Sequence, residues 1–140
     1  MTKVTLDTNV LISATFWTGD SFRILEMIEQ KKIICALSKD ILSEYQKVIG
    51  SDEIVVKISD KGLRLSKIVQ RVIFLSEIVD PIQKIDVLKE DPTDNKILEC
   101  AMGGKSDYII TNDNHLLKIR EYGNIRIVTP KEFIENCAGV

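Results

Sequence analysis

Short apolar runs alternate along the chain with longer amphipathic stretches. The runs cover residues 3–13, 33–37, 72–76, 108–111 and 125–128, and their β-branched composition is typical of buried parallel strands. The stretches between them predict helices near residues 20–31, 38–49, 53–72, 91–102 and 114–117, and a capping box at Thr129 and Glu132 opens a last helix. Strands that alternate with helices predict an α/β fold of three layers, α/β/α, around a mainly parallel sheet.

The composition is that of one globular domain over residues 1–140, with 44% hydrophobic and 29% charged residues. No stretch reaches the roughly twenty apolar residues that span a bilayer, and the N-terminus lacks the features of a signal peptide. Cys35, Cys100 and Cys137 are widely spaced among apolar residues, as reduced core thiols are. We therefore expect a cytoplasmic protein without membrane contact. With a net charge of −2, any surface for nucleic acid must be local.

One acid interrupts the first apolar run, since Asp7 stands in the middle of the strand predicted at Lys3–Ser13. A buried carboxylate is costly unless a metal, a cation or several donors satisfy it. Asp113 follows the apolar run 108–111 almost directly, although by itself it is also a good turn residue. Ligand sites in parallel α/β folds lie at the carboxyl ends of the strands, so we expect Asp7 and Asp113 to meet there.

Two more candidate site acids, Glu44 and Asp94, lie on predicted helices. Glu44 comes three residues after the apolar Ile41, which places it at the edge of the buried stripe, with a solvated boundary side chain as the alternative. We interpret Asp91 as the helix cap and Asp94 as a site residue, although first-turn acids also interact favourably with the helix dipole. Clustered carboxylates need a cation, and oxygen ligands select Mg²⁺ or Mn²⁺. The acids together predict a metal site for phosphoryl chemistry.

Five segments resemble the PIN-domain family in their order and spacing. They are Leu6–Leu11, the helix start before Glu44, Asp91–Leu98, Ile109–Leu117 and the closing Ile127–Phe133. The resemblance covers nearly the whole chain and is strongest to single-domain prokaryotic PIN proteins that are toxin components of toxin–antitoxin pairs. It implies a PIN-like fold and a metal-dependent endoribonuclease whose partners are an RNA substrate, a cognate antitoxin and a second copy of the chain.

The resemblance also implies a set of site residues. The family's acids match Asp7, Glu44, Asp94 and Asp113, which would hold one or two Mg²⁺ or Mn²⁺ ions. Water activated at the metal would attack phosphorus in line and leave 5′-phosphate and 3′-hydroxyl ends.

Four further positions are expected to support this site. The family's small polar residues that support the metals or the scissile phosphate match Asn9 and Thr111. Asp91 is the expected helix cap beside Asp94. His115 stands where many members carry another acid.

Basic residues recur at three- and four-residue spacing and would line one face of a helix. They are Lys57, Lys61, Arg64, Lys67 and Arg71. This face is suited to an RNA backbone, and a solvated helix face is an equally good interpretation. Tyr45 and Trp17 are candidates to stack on a base, with core packing and a loop or subunit contact as the respective alternatives.

Two other functions stay open beside the ribonuclease. One is a PIN fold that binds RNA or regulates with little turnover, against which the presence of all four acids argues. The other is a structure-specific DNA nuclease, which the absence of long added segments disfavours. A haloacid-dehalogenase-type phosphatase would need a second acid two residues after Asp7. Asn9 stands there instead, which excludes this alternative.

Overall fold

A six-stranded sheet lies at the centre of the computed structural model, which describes residues 1–16, 19–49, 67, 70–81, 83–88 and 94–137. The strands are β1 (Lys3–Leu6), β2 (Ile34–Ser38), β3 (Glu77–Val79), β4 (Tyr108–Ile110), β5 (Glu121–Tyr122) and β6 (Ile125–Val128). Their order across the sheet is β3-β2-β1-β4-β6-β5. All neighbouring strands run parallel except β5 and β6. The mainly parallel sheet predicted from the alternating pattern is confirmed.

Helices follow the strands. Those with both ends in the described part of the chain are α1 (Thr8–Phe16), α2 (Asp20–Glu29), α3 (Lys39–Ile49), α4 (Asn95–Gly104), α5 (Asn114–Leu117) and α6 (Pro130–Glu132), with a π-helical turn at Phe133–Cys137; residues 70–75 are helical as well. In β1, Val4, Thr5 and Leu6 are all fully buried. Because successive side chains of a strand point to opposite faces, both faces of the central strand are covered. This burial pattern is that of an α/β fold with a helical layer on each side.

The three cysteines are buried and free. Burial raises the pKa of the Cys35 thiol to about 12 and that of Cys100 to about 11, because a thiolate inside the core would lose its water. These side chains therefore behave as small apolar core residues, as the sequence predicts. Among the helices that the structure describes, none is long and apolar enough to cross a membrane.

The prediction that the first apolar run forms a single strand is wrong. β1 ends at Leu6 and α1 begins at Thr8, so that Asp7 lies at the end of the strand. The Asp7 carboxylate accepts the N–H of Asn9 at 3.0 Å, and its carbonyl accepts the N–H of Val10 at 3.0 Å. These bonds begin the helix in place of a continued strand ladder. A mostly apolar run without a clear period does not separate a buried strand from a buried helix.

The strand predicted at residues 72–76 is also wrong. Residues 70–75 are helical, and the Ser76 hydroxyl donates to the Val72 carbonyl at 2.7 Å. The strand follows as β3 at the edge of the sheet, where Glu77 and Ile78 are exposed. An exposed edge strand lacks the apolar pattern on which the prediction relied.

The helix expected to stop at Gly103 continues through both glycines as α4. A Cβ on Gly104 would lie 2.9 Å from Val79 Cγ2 and 3.0 Å from Ala36 Cβ. This glycine therefore permits close packing of the helix on the sheet and does not mark the helix end. Lys105 closes the helix in the left-handed region, with φ of 56°.

Candidate metal centre

Two neighbouring strands in the middle of the sheet end beside acidic residues. β1 and β4 are parallel, with Leu6 opposite Ile110, and the N–H of Asp7 donates to the Ile110 carbonyl at 3.1 Å. Asp113 follows three residues after Ile110. The pairing of the two strands therefore brings Asp7 and Asp113 to the same edge of the sheet.

A buried hydroxyl connects these two acids. Thr111 is fully buried, and its Oγ1 donates to Asp7 Oδ2 at 2.6 Å while accepting the N–H of Asp113 at 2.9 Å. Asp7 itself is only 5% exposed. Since Thr111 has no exposed surface, it acts by positioning Asp7 and Asp113 and not by touching a bound molecule.

Three side chains at this edge bring possible metal ligands together. One ligand atom each of Asp94, Asp113 and His115 lies within 4.8 Å of the other two. The three residues are each partly exposed, so the group is open to solvent. Two carboxylates and an imidazole are ligands that divalent cations accept. The arrangement is able to hold such a cation.

Different elements supply these ligands. Asp113 caps α5, where its Oδ1 accepts the N–H of His115 at 2.8 Å and lies 3.6 Å from His115 Nδ1. Asp94 comes directly before α4. His115 was predicted only to support the site. The available signal was its spacing, since a helix cap accepts the backbone N–H two or three residues further on and so holds that residue close to it.

Glu44 and Asp7 lie outside this three-residue group, within the part of the chain that the structure describes. Glu44 is exposed between the buried Ile41 and Tyr45, so its head reaches water. Its Oε2 accepts the hydroxyl of Thr8 at 3.3 Å, and Thr8 follows Asp7 directly. Glu44 therefore contacts the residue that follows Asp7, and Thr111 connects Asp7 to Asp113.

Three other residues were predicted to belong to the site or to bind RNA, and the structure describes two of them. The Asn9 side chain is exposed, and the contribution seen is that of its backbone N–H to Asp7. Asp91 lies outside the described residues. Tyr45 is 5% exposed and belongs to the apolar core, so the core interpretation of this ring applies.

Most of the predicted basic helix face lies outside the described residues, namely Lys57, Lys61 and Arg64. Trp17 lies outside them as well. Lys67 is exposed. Arg71 is exposed as well, with its Nε 3.5 Å from Glu29 Oε1. This ion pair gives Arg71 a partner within the protein.

An α/β sheet with acids gathered at the carboxyl ends of its central strands belongs to the class of parallel α/β folds whose site lies at that end of the sheet. Within that class the chain belongs to the PIN domain family, whose model matches residues 3–115. The matched range includes Asp7, Glu44, Asp94, Asp113 and His115. No curated protein matches the sequence.

Three solved structures share the fold. VapBC2 from Rickettsia felis, crystallised bound to a DNA fragment from its promoter, is 19% identical with a TM-score of 0.56 over 89% of this chain and 96% of that one. PAE2754 from Pyrobaculum aerophilum is 13% identical with a TM-score of 0.61 over 95% and 88%. FitAcB from Neisseria gonorrhoeae is 14% identical with a TM-score of 0.54 over 91% and 98%. At such identities the similarity concerns the fold.

Proposed function

We propose that this protein is a metal-dependent endoribonuclease and the toxin component of a toxin–antitoxin pair. One observation carries the proposal: in a PIN-domain protein, Asp94, Asp113 and His115 bring their ligand atoms within 4.8 Å of one another at the edge where Thr111 holds Asp7. Acids gathered in this way are costly without a cation to compensate their charge.

The donor set at this edge fits a hard divalent cation. Asp7, Glu44, Asp94 and Asp113 would hold one or two Mg²⁺ or Mn²⁺ ions, and His115 offers a further nitrogen ligand. The cation would neutralise charge on the phosphate and activate a water for in-line attack.

The chain's own contribution is to hold the acids in place before substrate arrives. Asp7 has a donor on each oxygen, the Asn9 N–H at 3.0 Å and the Thr111 hydroxyl at 2.6 Å. Asp113 is held by the N–H of His115 at 2.8 Å. Carboxylates fixed by such bonds need little reorganisation when charge develops in the reaction.

RNA as the substrate, a cognate antitoxin, a homodimer and a cytoplasmic location belong to the same proposal. Their support is the resemblance of Leu6–Leu11, Asp91–Leu98 and Ile109–Leu117 to toxin-component PIN proteins. The fold shared with VapBC2 and FitAcB agrees with that resemblance.

The test is to incubate the purified protein, freed of any co-purified partner, with mixed RNA and with mixed single-stranded DNA. Mg²⁺ or Mn²⁺ is compared with EDTA. We expect metal-dependent cutting of RNA, and we expect Asp7→Asn to lower the rate by about 10²-fold or more, the scale of losing one preorganised electrostatic group.

Asp107→Asn is the matched control. Asp107 is exposed and directly precedes β4, at the end of the sheet where the parallel strands begin. Its carboxylate accepts the N–H of Lys3 at 2.9 Å. An amide oxygen accepts the same bond, so this variant should cut at the parent rate. Equal rates for Asp7→Asn and the parent would remove the role assigned to Asp7. Cutting of DNA alone would favour a DNA nuclease, and metal binding without cutting would favour a regulatory module.

A further inference from the structure

Two open clefts lie beside the candidate metal centre. The first, here called the lysine groove, has a volume of about 770 Å³ and is formed by α3 and α4. Glu44 belongs to its wall, together with Lys47 and Lys96. The groove therefore opens directly onto one of the proposed site acids and carries two cations beside it.

The second cleft, here called the serine cleft, has a volume of about 500 Å³. Ser13, Ser21, Asn112 and Lys131 are among its lining residues. Asn112 stands between Thr111 and Asp113 in the chain, which places one wall of this cleft next to that segment of the metal centre. Its wall combines hydroxyl and amide groups with one cation.

The strand order places these clefts on opposite sides of the acids. α3 follows β2, whereas Asn112 follows β4 and Lys131 follows β6. Across the sheet the strands run β2-β1-β4-β6. The lysine groove is therefore on the β2 side and the serine cleft on the β6 side, with Asp7 between them at the end of β1.

The size and charge of the clefts fit a single nucleic-acid strand. Each has the volume of a pocket for one small molecule, which leaves room for a nucleotide or two of a single strand. Lys47 and Lys131 are exposed, and the Lys96 side chain is 43% exposed beside Glu99. Asp40 and Asp20 also line the two clefts, so phosphate binding depends on individual lysines and not on net charge.

We propose that single-stranded RNA runs from the lysine groove across the metal centre into the serine cleft. Lys47 and Lys96 bind phosphates on one side of the scissile bond, and Lys131 binds a phosphate on the other. The hydroxyl and amide groups of Ser13 and Asn112 are suited to the ribose 2′-hydroxyl, which both donates and accepts hydrogen bonds. This inference rests on the proposed function and explains why cutting would be internal, since the strand continues on both sides.

The test measures binding separately from cleavage. In an Asp7→Asn background with Mg²⁺, the affinity for a single-stranded RNA of mixed sequence is measured against salt concentration. The double variant K47Q/K96Q and the single variant K131Q are compared with K32Q as a control. Lys32 is exposed and lies before β2, at the end of the sheet where the parallel strands begin. Each lost phosphate contact should lower the salt slope by about 0.7 and the affinity about fivefold near 0.1 M salt.

We expect K47Q/K96Q to lose about two contacts, K131Q about one and K32Q none. Unchanged slopes for both cleft variants, or no RNA binding in the Asp7→Asn background, would overturn the inference. RNA binding that persists while affinity for a protein partner falls would overturn it too and would assign the clefts to that partner. Metal-dependent cutting by the parent protein reports on the proposed function independently of all these results.

Discussion

Replacing Thr111 by valine would show whether one hydroxyl holds the metal centre in place. Valine has nearly the shape of threonine, so the change removes the bond to Asp7 Oδ2 at 2.6 Å and the acceptor for the Asp113 N–H at 2.9 Å. Little else changes in this fully buried position.

The size of the effect follows from these two bonds. A hydrogen bond to a charged group contributes about 1.5–3 kcal/mol, and a buried N–H left without its acceptor costs at least about 1 kcal/mol. We therefore expect Thr111→Val to lower the free energy of unfolding by about 3 kcal/mol. Because Asp7 loses a fixed orientation, the affinity for Mn²⁺ should fall about 10- to 100-fold, as when a residue that orients a ligand is removed.

Thr111→Ser is the matched control. Serine keeps the hydroxyl and loses one buried methyl group, which costs about 1 kcal/mol. If the hydroxyl dominates, the order of stability is parent, then serine, then valine. If only packing matters at this position, valine is the more stable of the two variants.

Urea denaturation in EDTA measures the stability of the three proteins, and Mn²⁺ titration measures the metal affinity of the folded ones. The effect should also depend on the carboxylate, so Thr111→Val should cost less in the Asp7→Asn background. A valine variant as stable as the parent, or more stable than the serine variant, would refute the reasoning.

Two further predictions concern His115 and the buried thiols. His115→Asp exchanges an imidazole for a harder oxygen ligand, so the rate of RNA cutting in Mg²⁺ relative to Mn²⁺ should rise about tenfold; an unchanged ratio would take His115 out of the metal centre. The folded-state pKa values of Cys35 and Cys100, about 12 and about 11, lie above the usual 9.0, so the unfolded chain loses thiol protons first as the pH rises. The contribution of each thiol to the free energy of unfolding should be fully present below pH 9 and fall above it by up to about 1.4 kcal/mol per pH unit. The measurement is urea denaturation at a series of pH values, for the parent and for a variant with both Cys35→Ala and Cys100→Ala. A parent that loses no more stability at high pH than this variant would contradict the prediction.

The sequence by itself determined much of the fold because several signals are local. The apolar runs at 33–37, 108–111 and 125–128 predict β2, β4 and β6 within a residue of their observed bounds. Both hydrogen bonds of the predicted capping box form between Thr129 and Glu132. Side-chain patterning and capping act over a few residues, so a single sequence contains them.

Other features were decided only when distant segments packed together. The first strand ends at Leu6, opposite Ile110 of β4, and a helix begins at Thr8, which the apolar run to Ser13 did not show. The bond between Thr111 and Asp7 joins residues 104 positions apart, and His115 joins Asp94 from a different helix. Local propensity does not specify such contacts, because they depend on which strands become neighbours and where each one stops. The sequence therefore determined which acids the chain carries, and the tertiary structure decided how they are held and which side chain joins them.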